Sequence, residues 1–465
     1  MTTHGSLPAK HLLRLWLFIF LGLALVRGLL YVALIPPWQA PDETGHFEYV
    51  WLLVNQERLP TAETLSPTFE SELLSSLYAW RYGEYTQRPL PEIMPARLAE
   101  LPPDSFARNA RTVMIERFSL AYLWAAPFLY LVRHQELITQ LYFARLASVV
   151  LYTLNVWLAY RLFQALLPHR PRVALALTAV YSFIPQHTYI NSMVGDGPLA
   201  ELMALAVLYS WVRIFQHGIS PVRLIAVIAG TLLGIASKTT AAFLIPLDLL
   251  FGLWWWLQNR QRPLQRRALI GLVLGALILL GGLWLWSHTT LGMRTLDRLT
   301  TLSPTFAESG ILLRDKRGLT LPDALLLTFQ SAWANFGWMR VPVSDRWYGA
   351  LLLLTIAGLA GWLLPQENCT ATLHRGAPQL AVACLLAMGS FVTIALIGRQ
   401  DGGYYQFQGR YLFPILAPTI YFWVTGLQRY VRPRVELLTL AALIGFLIAF
   451  DVWSLIQYIV PYFYG

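Results

Sequence analysis

Residues 12–46 read LLRLWLFIFLGLALVRGLLYVALIPPWQAPDETGH, a long apolar run that ends in a compact polar motif. The apolar part, 12–35, exceeds the roughly 20 residues that an α-helix needs to cross a bilayer, so we predict a membrane-spanning helix. The motif Pro41–His46 then places two adjacent carboxylates and an imidazole where the chain leaves the membrane. Because ionised groups close to hydrocarbon are costly, we predict that this motif serves a function.

The composition extends this prediction to the whole chain. Of its 465 residues, 56% are hydrophobic and only 13% are charged, whereas a soluble domain carries about 25% charged residues. We therefore predict an all-α polytopic membrane protein with a single integrated transmembrane domain over residues 1–465 and about eleven spans. These spans are 12–35, 138–163, 172–190, 199–216, 222–236, 239–257, 267–288, 347–364, 378–398, 409–427 and 435–459.

The distribution of charge predicts the orientation. The net charge of +10 lies in short basic clusters between apolar runs, which is typical of cytoplasmic loops rather than of a nucleic-acid-binding surface. Lys10 and Arg14 flank the first span on its amino side, so we expect an inner-membrane protein with a cytoplasmic amino terminus and no nucleic-acid partner. Counting Phe118–Val132 as a span would move later basic clusters outside. We therefore expect that segment to lie in the outer interface or to dip in partway.

Three segments then face outward, namely 36–137, 289–346 and 399–408. Within the first, residues 36–117 hold nearly half of the acidic residues of the chain together with several prolines. That composition is typical of short amphipathic helices that lie on the bilayer surface. Because the first segment contains the acidic motif, we expect a functional site that faces outward.

The acidic motif supports two kinds of chemistry. If a helix begins after Pro41, Asp42 and His46 are four residues apart and share a face. A carboxylate of Asp42 or Glu43 could act as a general base on a hydroxyl or an amine. Alternatively, Asp42, Glu43 and His46 could hold a divalent cation, Mg²⁺ or Mn²⁺, against a phosphate. Helix capping would explain Asp42 but not His46.

Two cations on the predicted outer side point to an anionic ligand. Lys238 is one of only three lysines, with Lys10 and Lys316, and it lies at the turn between two apolar spans. A lysine there binds phosphate oxygens well, although it could also be an interface residue whose ammonium reaches to water. Arg410 opens the tenth span from the outer side, where basic residues are uncommon, and lipid phosphate is its natural partner.

His46 and four further residues are also candidates for substrate binding. Asp196 lies between two glycines in an outer turn, where it could orient a substrate or simply stabilise the turn. Gln408 and Tyr411 flank Arg410, and Tyr411 could belong to an aromatic interface belt. Trp338 could stack on a sugar or a prenyl chain, or belong to the same kind of belt.

These motifs, in this order and with a common outer placement, resemble the GT-C superfamily of membrane glycosyltransferases. More narrowly, the chain resembles a bacterial branch of predicted membrane proteins with a Pro-Asp-Glu-x-x-His signature. The stretches that carry the resemblance are Pro41–His46, Asn191–Asp196, Ser237–Thr240, Ser331–Met339 and Gln408–Pro414. The chain departs from the pattern at the second acidic motif, where many relatives have a plain Asn-x-Asp.

The resemblance implies an inverting glycosyltransferase that takes a sugar from a polyprenyl phosphate and works among membrane lipids. It implies that Asp42 is the catalytic base or orients the acceptor, and that Lys238 and Arg410 bind the donor phosphate. The acceptor stays open between a glycan, a lipid and a protein. Two other classes also stay open. These are a transporter or flippase for a lipid-linked or anionic solute, and a non-catalytic subunit of an envelope assembly.

Overall fold

The protein is all-α over the residues that its computed structural model describes. These residues are 7–56, 58–61, 65–115, 117–259, the single positions 275, 278 and 281, 318–364, 377–402 and 407–465. Within them, the sheet structure consists of two short antiparallel strands, β1 (Asn335–Phe336) and β2 (Val341–Pro342). The predicted fold class is confirmed.

The helices follow one another along the whole described chain. In order they are α1 (Leu7–Leu34), α2 (Glu43–Gln56), α3 (Pro67–Ala79), α4 (Tyr82–Tyr85), α5 (Phe106–Met114), α6 (Leu120–Tyr130), α7 (Leu137–Leu166), α8 (Pro171–Ser182), α9 (Pro185–Asn191), α10 (Gly197–His217), α11 (Pro221–Ser237), α12 (Leu244–Asn259), α13 (Leu321–Trp333), α14 (Asp345–Ala360), α15 (Ala377–Gly402), α16 (Leu416–Gln428), α17 (Glu436–Ser454) and α18 (Val460–Tyr464). Short 3₁₀ segments lie at Leu98–Glu100, Thr239–Phe243, Gly361–Leu363, Gly409–Ile415 and Pro433–Val435, and a π-helical turn lies at Leu455–Ile459.

Six of the described helices are long and apolar enough to cross a membrane, so the protein is a multi-pass membrane protein. They are His11–Leu34, Leu137–Leu166, Gly197–His217, Thr239–Asn259, Asp345–Leu363 and Pro433–Tyr464. The predicted count of about eleven is not confirmed. The predicted span 267–288 lies outside the described residues except for three positions, and 409–427 begins as a 3₁₀ segment.

The predicted span 172–190 is broken into α8 and α9. Pro185 occupies the first turn of α9, and Ile184 before it is extended, as steric contact with a proline ring requires. Ser182, the last residue of α8, keeps a partner for its carbonyl because the hydroxyl of Tyr152 donates to it over 2.7 Å. The break redirects the chain and buries the polar side chains of α9, including those of His187 and Asn191.

The first predicted outer segment has an apolar core of its own. Helices α2, α3, α5 and α6 surround it together with the start of α7. Its fully buried members include Trp38, Phe47, Phe69, Leu73 and Leu77. Helix α6 is 11 residues long, which gives about 16 Å and is half of the hydrocarbon thickness. A helix of that length does not cross the hydrocarbon by itself, and the interfacial position of Phe118–Val132 stays a prediction.

The main bundle places the polar connections of several helices at one end. Helix α10 packs between α7 and α11, and α1 packs along α7. Because successive helices reverse direction, the α1–α2, α9–α10 and α11–α12 connections meet at one end. The basic residues near Arg170 and Arg429 lie together at the other end, since Arg170 and Gln428 both contact Glu436.

Candidate functional site

The connection between α1 and α2 holds Asp42 in an uncommon backbone conformation. Pro36 and Pro37 follow one residue after α1, and proline cannot continue a helix. Trp38 and Asp42 then have φ values of 70° and 64°, in the left-handed region that non-glycine residues seldom adopt. Such strain persists only where surrounding contacts enforce it, and it is common at functional sites.

Two ion pairs join four distant parts of the chain at this place. Arg410 donates from Nη2 to Oδ2 of Asp42 over 2.7 Å, and from Nη1 to the carbonyl of Pro41 over 3.3 Å. Lys238 Nζ lies 2.5 Å from Oδ1 of Asp196. Each predicted cation is therefore paired with a predicted carboxylate.

The two pairs border one cleft of about 530 Å³ of empty space, counted out to its open mouth. Its lining includes Pro41, His46, Asp196, Lys238 and Arg410. Asp42 joins this group through its ion pair with Arg410. The structure thus brings five of the nine residues predicted from sequence together, namely Asp42, His46, Asp196, Lys238 and Arg410.

Close packing fixes the position of Arg410. It follows Gly409, whose amide donates to Oγ of Ser331 over 2.9 Å. A Cβ at Gly409 would lie 2.2 Å from the backbone nitrogen of Ala332, so only glycine allows this approach to α13. On the opposite wall, Lys238 ends α11 with an extended backbone, and its own amide donates to the carbonyl of Gly234 over 2.9 Å.

The electrostatics of the cleft keep both carboxylates ionised. Burial alone would raise the pKa of Asp42, but the nearby cations, Arg410 first among them, hold that pKa below its ordinary value. Against the same effect of burial, the charge of Lys238 lowers the pKa of Asp196 to about 2. Burial lowers the pKa of His46, and the two carboxylates oppose this only in part. The imidazole is therefore neutral at neutral pH and shares a 2.8 Å hydrogen bond with the hydroxyl of Tyr122.

Glu43, which was predicted to be catalytic, points away from the cleft. Its carboxylate is fully buried and accepts two hydrogen bonds from Arg145, of 2.8 and 2.7 Å. It also lies 3.4 Å from the amide nitrogen of Val194, in the loop that carries Asp196. We therefore correct its role: Glu43 is a structural ion partner that joins the two acidic loops.

The predicted metal ligands do not converge. Asp42 pairs with Arg410, Glu43 with Arg145, and His46 with Tyr122, so the three side chains face different partners. Over the described ranges, no group of three or more His, Cys, Asp or Glu side chains is arranged to hold a metal. The residues present do not fit a divalent cation, and we derive no step through one.

Arg145 was not anticipated from the sequence. It is fully buried and donates to the carbonyls of Val32, Ile35 and Pro36, which α1 leaves without helical partners at its end. A signal was present, because an arginine inside an apolar span marks a site that needs an ionic partner. The sequence did not indicate which carboxylate that partner would be.

The aromatic candidates divide into two groups. The ring centre of Tyr411 lies 5.6 Å from Nζ of Lys238 and 5.4 Å from Cζ of Arg410, so it faces both cations. Trp338 instead stacks on Phe106, with ring centres 4.4 Å apart, and its indole donates to the carbonyl of Trp38. The prediction that Trp338 contacts a substrate is therefore not supported by its position. Gln408 precedes the 3₁₀ segment of Arg410 and does not line the cleft.

A second, apolar cleft adjoins the first, with about 300 Å³ of empty space counted out into open solvent. Its lining includes Phe243, Phe391, Tyr411 and Ile415. Thr240 and Pro414 line both clefts, so the apolar one continues from the charged one.

Two further cleft residues lie outside the set predicted from sequence. Glu201 is 1% exposed and lines the cleft from α10, and Asn191 lines it from the end of α9. A glutamate inside the predicted span 199–216 was the available signal, because an acidic residue at such a depth requires partners.

Known proteins resemble this chain at two levels. The family model described as Predicted membrane protein (DUF2142) matches residues 25–419, a range that contains both ion pairs of the cleft. Among solved structures, ArnT from Cupriavidus metallidurans bound to undecaprenyl phosphate is similar, with 15% sequence identity and a TM-score of 0.47. The match covers 95% of this chain and 69% of ArnT. No curated protein matches the chain.

Proposed function

This chain belongs to the family of predicted membrane proteins DUF2142, and we propose that it is an inverting glycosyltransferase with a polyprenyl-phosphate-linked sugar as donor. The observation that carries this proposal is one cleft that Arg410, Lys238 and Asp196 line, with Asp42 held beside it by its ion pair with Arg410. Two cations and a carboxylate beside a membrane span are the groups that sugar transfer from a lipid phosphate requires.

The cations are suited to bind the donor phosphate. Arg410 and Lys238 both face the cleft, and their side chains are only 12% and 16% exposed. Solvent screens such nearly buried charges less than it screens surface charges, so they stabilise a bound anion more strongly. The same two groups would stabilise the negative charge that develops on the phosphate as it leaves the sugar.

Asp42 is suited to be the base, and binding of the donor would activate it. In the resting site the guanidinium of Arg410 lowers the pKa of Asp42. A phosphate that takes over hydrogen bonds of Arg410 weakens this effect, so the carboxylate becomes a better proton acceptor. Asp42 then takes the proton of the acceptor hydroxyl or amine. The acceptor atom forms a bond to the anomeric carbon from the face opposite the phosphate, which departs with the electron pair of the broken bond.

The apolar cleft supports a lipid-linked donor. It adjoins the charged cleft at Thr240 and Pro414, so a prenyl chain in it would keep its phosphate within reach of Arg410 and Lys238. The basic residues at the opposite end of the bundle support an outward-facing site and a cytoplasmic amino terminus in the inner membrane.

The test is release of polyprenyl phosphate, because this product does not depend on which acceptor is used. Purified protein would be supplied with polyprenyl-phosphate sugars and with membrane extract as a source of acceptors. We expect Asp42→Asn to lower turnover at least about 100-fold without weakening donor binding. Lys238→Ala should mainly weaken donor binding. Asp104→Asn, which changes an exposed carboxylate of the same outer segment, is the matched control and should leave both unchanged.

Other outcomes would favour the other classes. Unchanged turnover in Asp42→Asn would contradict the role of the base. Movement of the lipid across liposomes without release of polyprenyl phosphate would favour a flippase. Failure of the protein to bind any polyprenyl phosphate would favour a non-catalytic subunit.

A further inference from the structure

The inner wall of the charged cleft carries hydrogen-bond acceptors rather than cations. Glu201 lies five residues beyond Asp196 along α10, about 7 Å further into the bundle. Its carboxylate is 1% exposed, whereas the side chain of Asp196 is 18% exposed. Asn191 stands beside it and is also 1% exposed. Both residues line the cleft, so this wall is the deepest part that a ligand held by Lys238 would reach.

The partners of Glu201 leave it able to accept another hydrogen bond. Its Oε1 accepts from the hydroxyl of Tyr181 and lies 2.9 Å from Nε2 of His187. Its Oε2 accepts from Nδ2 of Asn191 over 3.2 Å. A carboxylate has about four lone-pair positions. One position on Oε2 is therefore open, while Tyr181 and His187 hold the group in place.

The amide of Asn191 has a fixed orientation. Its Nδ2 contacts two acceptors, Oε2 of Glu201 and the carbonyl of His187, at 3.2 and 3.0 Å. The opposite assignment would place the amide oxygen against both acceptors. Oδ1 is buried and has no hydrogen-bond partner among the described residues, and Asn191 lines the cleft. A buried acceptor without a partner is costly and calls for a ligand that donates.

We propose that Glu201 and Asn191 form the subsite that binds the sugar of the lipid-linked donor, through its hydroxyl or ammonium hydrogens. This inference rests on the proposed function, because it places the sugar one step inward from a phosphate on Lys238 and Arg410. The cleft then has three chemically distinct parts. An apolar part takes the lipid, a cationic part takes the phosphate, and an acceptor-lined wall takes a group that carries hydrogen-bond donors.

The experiment compares two ligands that differ only in the sugar. Undecaprenyl phosphate is the sugarless probe, and a panel of synthetic undecaprenyl-phosphate hexoses, pentoses and amino sugars supplies the second ligand. We expect the wild-type protein to bind at least one sugar-bearing lipid more tightly than undecaprenyl phosphate. Glu201→Gln and Asn191→Ser should each reduce that difference by about tenfold or more and leave binding of undecaprenyl phosphate unchanged. Glu201→Gln distinguishes a neutral sugar from an amino sugar. Loss of the carboxylate charge weakens binding of an amino sugar more than binding of a neutral one.

The controls distinguish the subsite from the proposed function. Ser192→Ala removes a neighbouring buried hydroxyl that does not line the cleft, and it should change neither affinity. Retained binding of undecaprenyl phosphate shows that a variant is folded, and Asn191→Ser carries the test if Glu201→Gln does not fold. If wild-type protein binds undecaprenyl phosphate but no sugar adds affinity, or if both variants keep the full preference, the subsite is wrong. If the wild-type protein does not bind undecaprenyl phosphate, the proposed function is wrong instead.

Discussion

Among single residues, the main feature of the cleft is that Asp42 and Asp196 are each paired with a cation of their own. The pair of Asp196 and Lys238 is only partly exposed, at 18% and 16%, so solvent screens its charges less than it screens those of a surface pair. This pair and the pair of Asp42 with Arg410 keep both carboxylates ionised and hold both cations at the cleft. The resting protein is thus preorganised for an anion.

The pKa of Asp196 predicts how acid affects stability. The folded state lowers this pKa from 3.8 to about 2, so the ionised carboxylate stabilises the fold above about pH 4, and this stabilisation is lost as the pH falls towards 2. Its size is about 2 kcal/mol. We expect Asp196→Asn to unfold at a lower temperature than the wild-type protein at pH 6, with a difference that shrinks towards pH 2.

The measurement is the thermal unfolding midpoint of both proteins in detergent across this pH range. Asp104→Asn is the matched control, since its carboxylate is 60% exposed and its ion pair with Arg88 lies at the surface, so the difference should be small at every pH. A difference between Asp196→Asn and the wild-type protein that stayed the same from pH 6 to pH 2 would contradict the ion pair.

Among the elements, the α1–α2 connection is held in place by the buried ion pair of Glu43 and Arg145, which lies outside the cleft. Arg145 on α7 binds Glu43 and the last carbonyls of α1, and Glu43 reaches the backbone beside Asp196. Glu43 directly follows Asp42, so these contacts fix the backbone next to the left-handed residue Asp42. The geometry of the proposed base therefore depends on two buried residues that do not touch the cleft.

We expect Glu43→Gln to destabilise the protein by about 3–5 kcal/mol, because the charge of Arg145 would remain buried without its partner. Turnover should also fall, since Asp42 loses its support. The double variant Glu43→Leu with Arg145→Met should recover much of the stability but not the turnover. Denaturation and the release assay measure the two effects. Recovery of turnover in the double variant would show that the pair does not position Asp42.

The sequence predicted the elements near the cleft better than their contacts. Apolar runs located α1, α7 and α10, because hydrophobic length is a local property. The pairing of Arg410 with Asp42 joins residues 368 positions apart, and no local pattern encodes such a contact. Pro185 was visible in the sequence, but an apolar run that continues on both sides concealed the break it makes. Glu43 was predicted to be catalytic because it is adjacent to Asp42 in the sequence. Its distant ion partner, Arg145, could not be identified from the sequence.

At the scale of the whole molecule, the first and last long helices are joined by a second buried ion pair. Arg27 on α1 lies 2.8–2.9 Å from the carboxylate of Asp451 on α17, and Tyr31 donates to the same carboxylate. Arg27 also donates to the carbonyl of Ser182, at the break between α8 and α9, and lies over the ring of Phe183. These contacts therefore link α1 and α17 to the break between α8 and α9, which brings α9 to the cleft.

We expect Asp451→Asn to be among the most destabilising single changes in the bundle, by about 3–5 kcal/mol, because it leaves the guanidinium of Arg27 unpaired in an apolar interior. Arg27→Leu combined with Asp451→Leu removes both charges and should be markedly more stable than Asp451→Asn alone. Unfolding in denaturant measures both. Asp345→Asn, at the exposed start of α14, is the control for loss of a carboxylate. If Asp451→Asn unfolded like this control, Arg27 would have another partner, and the first and last helices would be held together by apolar packing instead.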